Sequence, residues 1–117
     1  EGGLAITLAE CCFDTGLGAY AEVPAVAVEA PDFSDIATLF GESASRVVVS
    51  VDWQIATQLV ERARQQDVPA AIIGRVGGDR IRIVVDGHTA IDEPVADTER
   101  TWAEAIGGYF EPQRAIA

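Results

Sequence analysis

The residues best suited to chemistry gather in one short turn, Glu42-Ser43-Ala44-Ser45-Arg46, ahead of a valine run. Glu42 offers a carboxylate that accepts hydrogen bonds, Ser43 a hydroxyl that both donates and accepts, and Arg46 a planar fork suited to a phosphate. Each has a plainer use as well. Glu42 and Ser43 can satisfy backbone groups of the turn itself, and an arginine in an acidic protein usually pairs with a neighbouring carboxylate. Gly2-Gly3 form the second candidate, just ahead of an apolar run at helical spacing. Glycines there let backbone N–H groups approach an anion, and they equally let a helix pack closely against a neighbour.

Other chemistry-bearing residues carry less. Cys11 and Cys12 are adjacent, and neighbouring residues do not easily span a disulfide, so they read as a buried or half-buried thiol pair in a reducing cytosol. His88 is the single histidine; without positioned neighbours it reads as an exposed turn residue. Zinc-ligand spacing is absent. Gly74, Gly77 and Gly78 make no dinucleotide fingerprint, because a strand and not a helix follows them, and turn geometry is their expected task. Trp53 and Trp102 read as core or interface anchors.

The setting is an acidic chain of 117 residues with 19 Asp and Glu against eight arginines, no lysine and a formal charge of −11. Such a balance repels phosphate backbones and anionic headgroups, so neither nucleic acid nor membrane is an expected partner. Without lysine, Schiff-base and P-loop lysine chemistry have no residue to use. An apolar content of 49% argues for a folded core. The length suits one domain. Because residue 1 is Glu and the chain has no Met, the expectation is a piece of a longer translation product.

The elements that position these residues can be read from periodicity. Leu4, Leu8 and Cys12 mark a helix ending near Asp14-Thr15-Gly16; a strand lies within Ala19–Glu29, with Pro24 at an edge or bulge. Pro31–Asp35 open a short helix, capped by Asp32 or Ser34, whose face is Phe33, Ile36, Ala37 and Phe40 and which Gly41 terminates. Val47–Val51 reads as a buried central strand, followed by an amphipathic helix from Asp52 to Gln66. Val68–Val76 and Arg80–Val85 read as a hairpin closed by Gly77-Gly78-Asp79, with Arg80 and Arg82 exposed and Ile81 and Ile83 buried. Asp86-Gly87 is another turn, Thr89–Asp92 a short strand, and Asp97–Ile106 a final helix ended by Gly107-Gly108. This order excludes a simple parallel doubly wound sheet. It predicts an α+β fold: a layered α/β/α domain with a mixed, largely antiparallel sheet.

Taken together in order, Glu1–Ala5, Leu8–Cys12, Leu39–Arg46 with its valine run, Ile73–Gly78 and Asp92–Trp102 resemble the end of a known family over essentially the whole chain. That family is phosphoribosylformylglycinamidine synthase, and the similarity is to the C-terminal domain of its synthetase subunit, of the kind shared with aminoimidazole ribonucleotide synthetase. The resemblance implies an ATP- and magnesium-dependent ligase in a longer chain. It would convert formylglycinamide ribonucleotide and glutamine-derived ammonia to the amidine in de novo purine biosynthesis. It implies as partners the remaining domains of the parent synthetase chain, a glutaminase subunit or domain and a small accessory subunit, in the cytoplasm.

The same resemblance limits what this piece holds. The family's magnesium-associated aspartate lies upstream of the Gly-Gly-Leu motif, so ATP and magnesium would be bound mainly by parts of the parent outside these residues, and no catalytic or metal-binding residue is expected here. In the family's first half the turn reads Glu-Ser-Gln and contacts substrate, whereas Ala44 here takes the Gln position and removes an amide. Glu42, Ser43, Arg46, Gly2 and Gly3 remain the candidates for substrate or nucleotide contact, with a structural role for the turn as the favoured reading. Other members of the superfamily (aminoimidazole ribonucleotide synthetase itself, selenophosphate synthetase or thiamine monophosphate kinase) and a non-catalytic acidic interaction module are the competing readings.

Overall fold

The computed structural model describes residues 1–111. Period-two patterning builds its centre. In β3 (Arg80–Val85) Ile81, Ile83 and Val85 are buried and Arg80 and Arg82 exposed. β1 (Ala19–Val23) runs parallel to β3, placing Ala21 opposite Ile83 and Val23 opposite Val85. β4 (His88–Pro94) lies antiparallel on the other side of β3, with a bulge between Ile83 and Val84, and β2 (Gly74–Val76) lies antiparallel to β1. The order is β2-β1-β3-β4, a mixed sheet in which two of three pairings are antiparallel. The α+β architecture with a mixed sheet thus agrees with the sequence.

Helices cover the Ala21–Ile83 side. α1 (Gly3–Cys12) buries Leu4, Ala5, Leu8, Ala9 and Cys12 against that face, a stripe at i, i+4 and i+8. α2 (Ser34–Phe40) adds Leu39 to the same core, and α4 (Val95–Phe110) adds Val95. The end of α1 is tied to α4 by the Phe13 and Trp102 rings, 5.4 Å apart, and by the Asp14 N–H donating to Glu99 Oε1 at 3.1 Å. Asp86 and Gly87 turn β3 into β4 with φ of 47° and 83°, the left-handed pair that a two-residue hairpin requires.

Several expectations fail, each for a physical reason. The Gly77-Gly78-Asp79 segment closes no hairpin, because β1 inserts between β2 and β3. The loop instead wraps the start of β1, where Gly18 and the two glycines exchange backbone hydrogen bonds of 2.9 and 2.8 Å. Local turn chemistry cannot register a strand arriving from fifty positions upstream. Val47–Val51 is not a strand: its amides make no backbone hydrogen bond among the described residues, and Val47 is 81% exposed. Apolar composition favours a ladder without supplying a partner. Of Val68–Val76 only Gly74–Val76 is strand, and the β1 strand stops at Val23, before Pro24.

Helix faces and ends shift as well. Pro31–Phe33 is a single 3₁₀ turn, and neither it nor α2 has a side-chain cap. α2 buries Thr38 and Leu39, leaving Phe33, Ile36 and Phe40 exposed. Thr38 sets that rotation, since its hydroxyl donates to Ser34 O at 2.7 Å and accepts the Val26 N–H at 2.9 Å. α3 (Trp53–Gln65) is amphipathic as expected, yet none of its residues is buried among the described ones. α4 continues through Gly107 and Gly108 to Phe110, because glycine costs a helix about 1 kcal/mol without forbidding it. His88 begins β4 instead of lying in a loop, and its Nε2 sits 2.7 Å from Asp35 Oδ2. Cys12 is buried but Cys11 is exposed, so they are not a buried pair.

Candidate functional site

Three of the predicted residues meet. The backbone N–H of Gly2 donates to Glu42 Oε1 at 2.6 Å, joining the start of α1 to the turn after α2. Gly2 and Gly3 both have φ near 85°, a region costly for other residues. A Cβ on Gly3 would lie 2.6 Å from the Phe40 backbone, so the helix start is pressed directly against the end of α2. The positive end of α1 is therefore filled by the protein's own carboxylate, at the place where a bound anion would sit.

Ser43 and Arg46 are not drawn into that contact. Both are exposed, and the Arg46 guanidinium donates to Gly41 O at 3.2 Å. The expected carboxylate partner of Arg46 is replaced by a carbonyl of its own turn, because Ser45 adopts a φ of 63° and folds the segment back. Four of the guanidinium's five donors remain available for other groups. Among the described residues there is no group of three or more His, Cys, Asp or Glu side chains that could hold a metal ion. No described helix is long and apolar enough to cross a membrane.

A second constellation escaped the sequence reading. On the side of the sheet away from α1, Tyr20 lies opposite Arg75 on β2 and opposite Arg82 on β3. The two guanidinium carbons stand 5.8 and 5.6 Å from the Tyr20 ring centroid, a double cation–π arrangement. Close approach of β2 is possible only because Gly74 has no side chain: a Cβ there would overlap Tyr20 O. Trp53 and Ile72 complete an open groove of about 1060 Å³. Arg80 also lines it but is committed to Asp92 at 2.6 Å, and that hydrogen bond pushes its pKa further up. Alternation marked Arg80 and Arg82 as exposed; only the register of three strands brings Tyr20 between Arg75 and Arg82.

The mixed sheet with α1, α2 and α4 packed on one face is shared with a known class of domain. The chain belongs to the family described as AIR synthase related protein, C-terminal domain, which matches residues 1–86. Within that class its similarity is to phosphoribosylformylglycinamidine synthase subunit PurL. It is 38% identical over 111 residues to PurL of Anaeromyxobacter sp. (strain Fw109-5), covering 91% of this chain and 14% of that protein. PurL of Moorella thermoacetica is 36% identical over 106 residues, again 91% of this chain and 14% of the relative. The structure of T. maritima PurL complexed with ATP superposes with a TM-score of 0.69 at 23% identity, covering 84% of this chain and 17% of that one, and shows the same fold. The chain thus spans about one-seventh of the length of these relatives.

Proposed function

We propose that this chain is the C-terminal domain of the synthetase subunit of phosphoribosylformylglycinamidine synthase. The parent enzyme would use ATP and magnesium to activate the amide oxygen of formylglycinamide ribonucleotide. Ammonia released from glutamine by a glutaminase partner would then displace phosphate. The observation that supports this reading best is similarity to PurL running through 91% of the chain, far beyond one motif. Glu42, Gly2 and Gly3 serve this domain structurally, by locking α1 to the end of α2. Ser43 and the spare donors of Arg46 are the groups left to contact a phosphate or nucleotide held by the rest of the enzyme.

The domain's main contribution is packing and a wall of a site, with the metal-neutralised charge and preorganised donors that polyphosphate chemistry needs supplied mainly by the rest of the parent. Exchange of the corresponding segment of Moorella thermoacetica PurL for this chain tests the assignment. The chimera should convert formylglycinamide ribonucleotide in an ATP-dependent reaction with ammonia. A folded chimera without turnover, beside an active chimera carrying the Anaeromyxobacter segment, would overturn it.

A further inference from the structure

We propose that the sheet face centred on Tyr20, Arg75 and Arg82 docks a carboxylate-bearing stretch of the same synthetase polypeptide, outside these 117 residues. This rests on the reading above, that the chain is one domain of a longer synthetase. Charge carries the argument first. Arg64, Arg80 and Arg100 each hold a carboxylate within 2.7 Å, although the chain has 19 acidic residues to choose from. Arg75 and Arg82, like Arg46 and Arg62, have no carboxylate within ion-pair distance among the described residues, and of these four only Arg75 and Arg82 stand together over one ring. Arg82 reaches only the Thr89 hydroxyl, at 3.1 Å, and both guanidiniums rest on Tyr20. Glu22, which shares this face, is engaged at 3.2 Å by the Tyr20 hydroxyl.

Composition and shape agree with a polypeptide occupant. Tyr, Trp and Arg are the residues that dominate binding energy at protein interfaces, and here they stand together with Ile72 on one surface. The groove is broad and open, whereas small-molecule sites enclose most of their ligand. Strand spacing of about 4.8 Å puts the Arg75 and Arg82 backbones roughly 10 Å apart, and both side chains lean in over Tyr20, within reach of acidic residues at i and i+2 of an extended segment, which point to one side about 7 Å apart. An apolar side chain of the same segment would meet Trp53, which lines the groove and is 69% exposed. The occupant lies in the same polypeptide because some six-sevenths of the relatives' length is outside this chain.

Arginine footprinting with phenylglyoxal tests this on the full-length synthetase polypeptide that carries the chain, without nucleotide. Arg75 and Arg82 should react at least fivefold more slowly in the folded enzyme than in the same polypeptide unfolded in urea. In an R75Q/R82Q variant, hydrogen exchange should rise at least fivefold in one acidic segment elsewhere in the polypeptide while α1 and Glu42 keep their protection. Unprotected arginines would overturn the proposal. So would protection that appears only with added ATP or inorganic phosphate, which marks a small-anion site, or that grows with protein concentration, which marks a second copy. A chimera that turns over with unprotected Arg75 and Arg82 removes the docking surface alone; an inactive chimera removes the functional assignment instead.

Discussion

Gly2 and Glu42, forty positions apart in sequence, are joined by a 2.6 Å hydrogen bond that closes the positive end of α1 with a carboxylate. Two features that each suggested ligand contact, a glycine-opened helix and an acidic turn, thereby satisfy one another. Glu42→Ala removes the cap and should lower stability by about 1 kcal/mol, while Glu42→Gln, which keeps an acceptor, should lose less. Urea unfolding of the two variants measures the difference. Equal stability of E42A and the parent would mean that the contact contributes nothing.

Gly3 supports that junction sterically. Gly3→Ala brings a methyl to 2.6 Å from the Phe40 backbone at a φ of 85°, so α1 and α2 must separate. A loss of about 2–4 kcal/mol is expected from strain and the repacking of Leu4 and Leu39. Gly16→Ala, at a positive φ but with open space around it, should cost only about 1 kcal/mol. Thermal melts of the two variants should therefore separate clearly.

The core has its own signature residue. Ile83 is fully buried between β1 and β4 and packs beneath α1, so Ile83→Ala should destabilise by about 2–5 kcal/mol. Ile106, 76% exposed on α4, should tolerate Ser with a change within about 0.5 kcal/mol in this chain. Denaturant titration compares the pair directly.

Cys12 links burial to pH. Burial, and after it the neighbouring Cys11 thiol, raises the Cys12 pKa above its ordinary 9.0. A raised folded-state value means that the fold favours the protonated thiol. Its stability contribution is complete below about pH 9 and is lost as pH climbs through the raised value, where the unfolded chain releases the proton first. Thermal melts should show a decline above pH 9 that C12A lacks. Cys11, which is exposed, should react with a thiol reagent at least tenfold faster than Cys12 at neutral pH.

Exposed apolar residues complete the set. Trp53, Ile55 and Leu59 on α3, Val47 and Val49 before it, and Trp102, Ile106 and Tyr109 on α4 are all open to solvent. Such surface exceeds what a free-standing domain commonly shows. The 117-residue chain should accordingly bind a hydrophobic dye strongly, and Leu59→Ser should weaken that signal without changing its melting point by more than about 2 °C. An absence of dye binding would refute this account of the surface.

Much of this architecture was readable in the residues themselves. The α1 stripe of Leu4, Leu8 and Cys12, the alternation of Arg80 to Ile83 and the Asp86-Gly87 turn are local patterns, and local patterns encode element type and buried face directly. The family resemblance rested on ordered short motifs spanning the whole chain, which need no coordinates. Tertiary structure decided the rest. It inserted β1 between β2 and β3, turned α2 about Thr38, set Glu42 on Gly2 and brought Tyr20 between two arginines. Each of those outcomes depends on residues forty or more positions apart, or on which face of a helix finds a partner. Periodicity records that a side chain will be covered, but hydrogen-bond pairing and packing between distant segments determine what covers it.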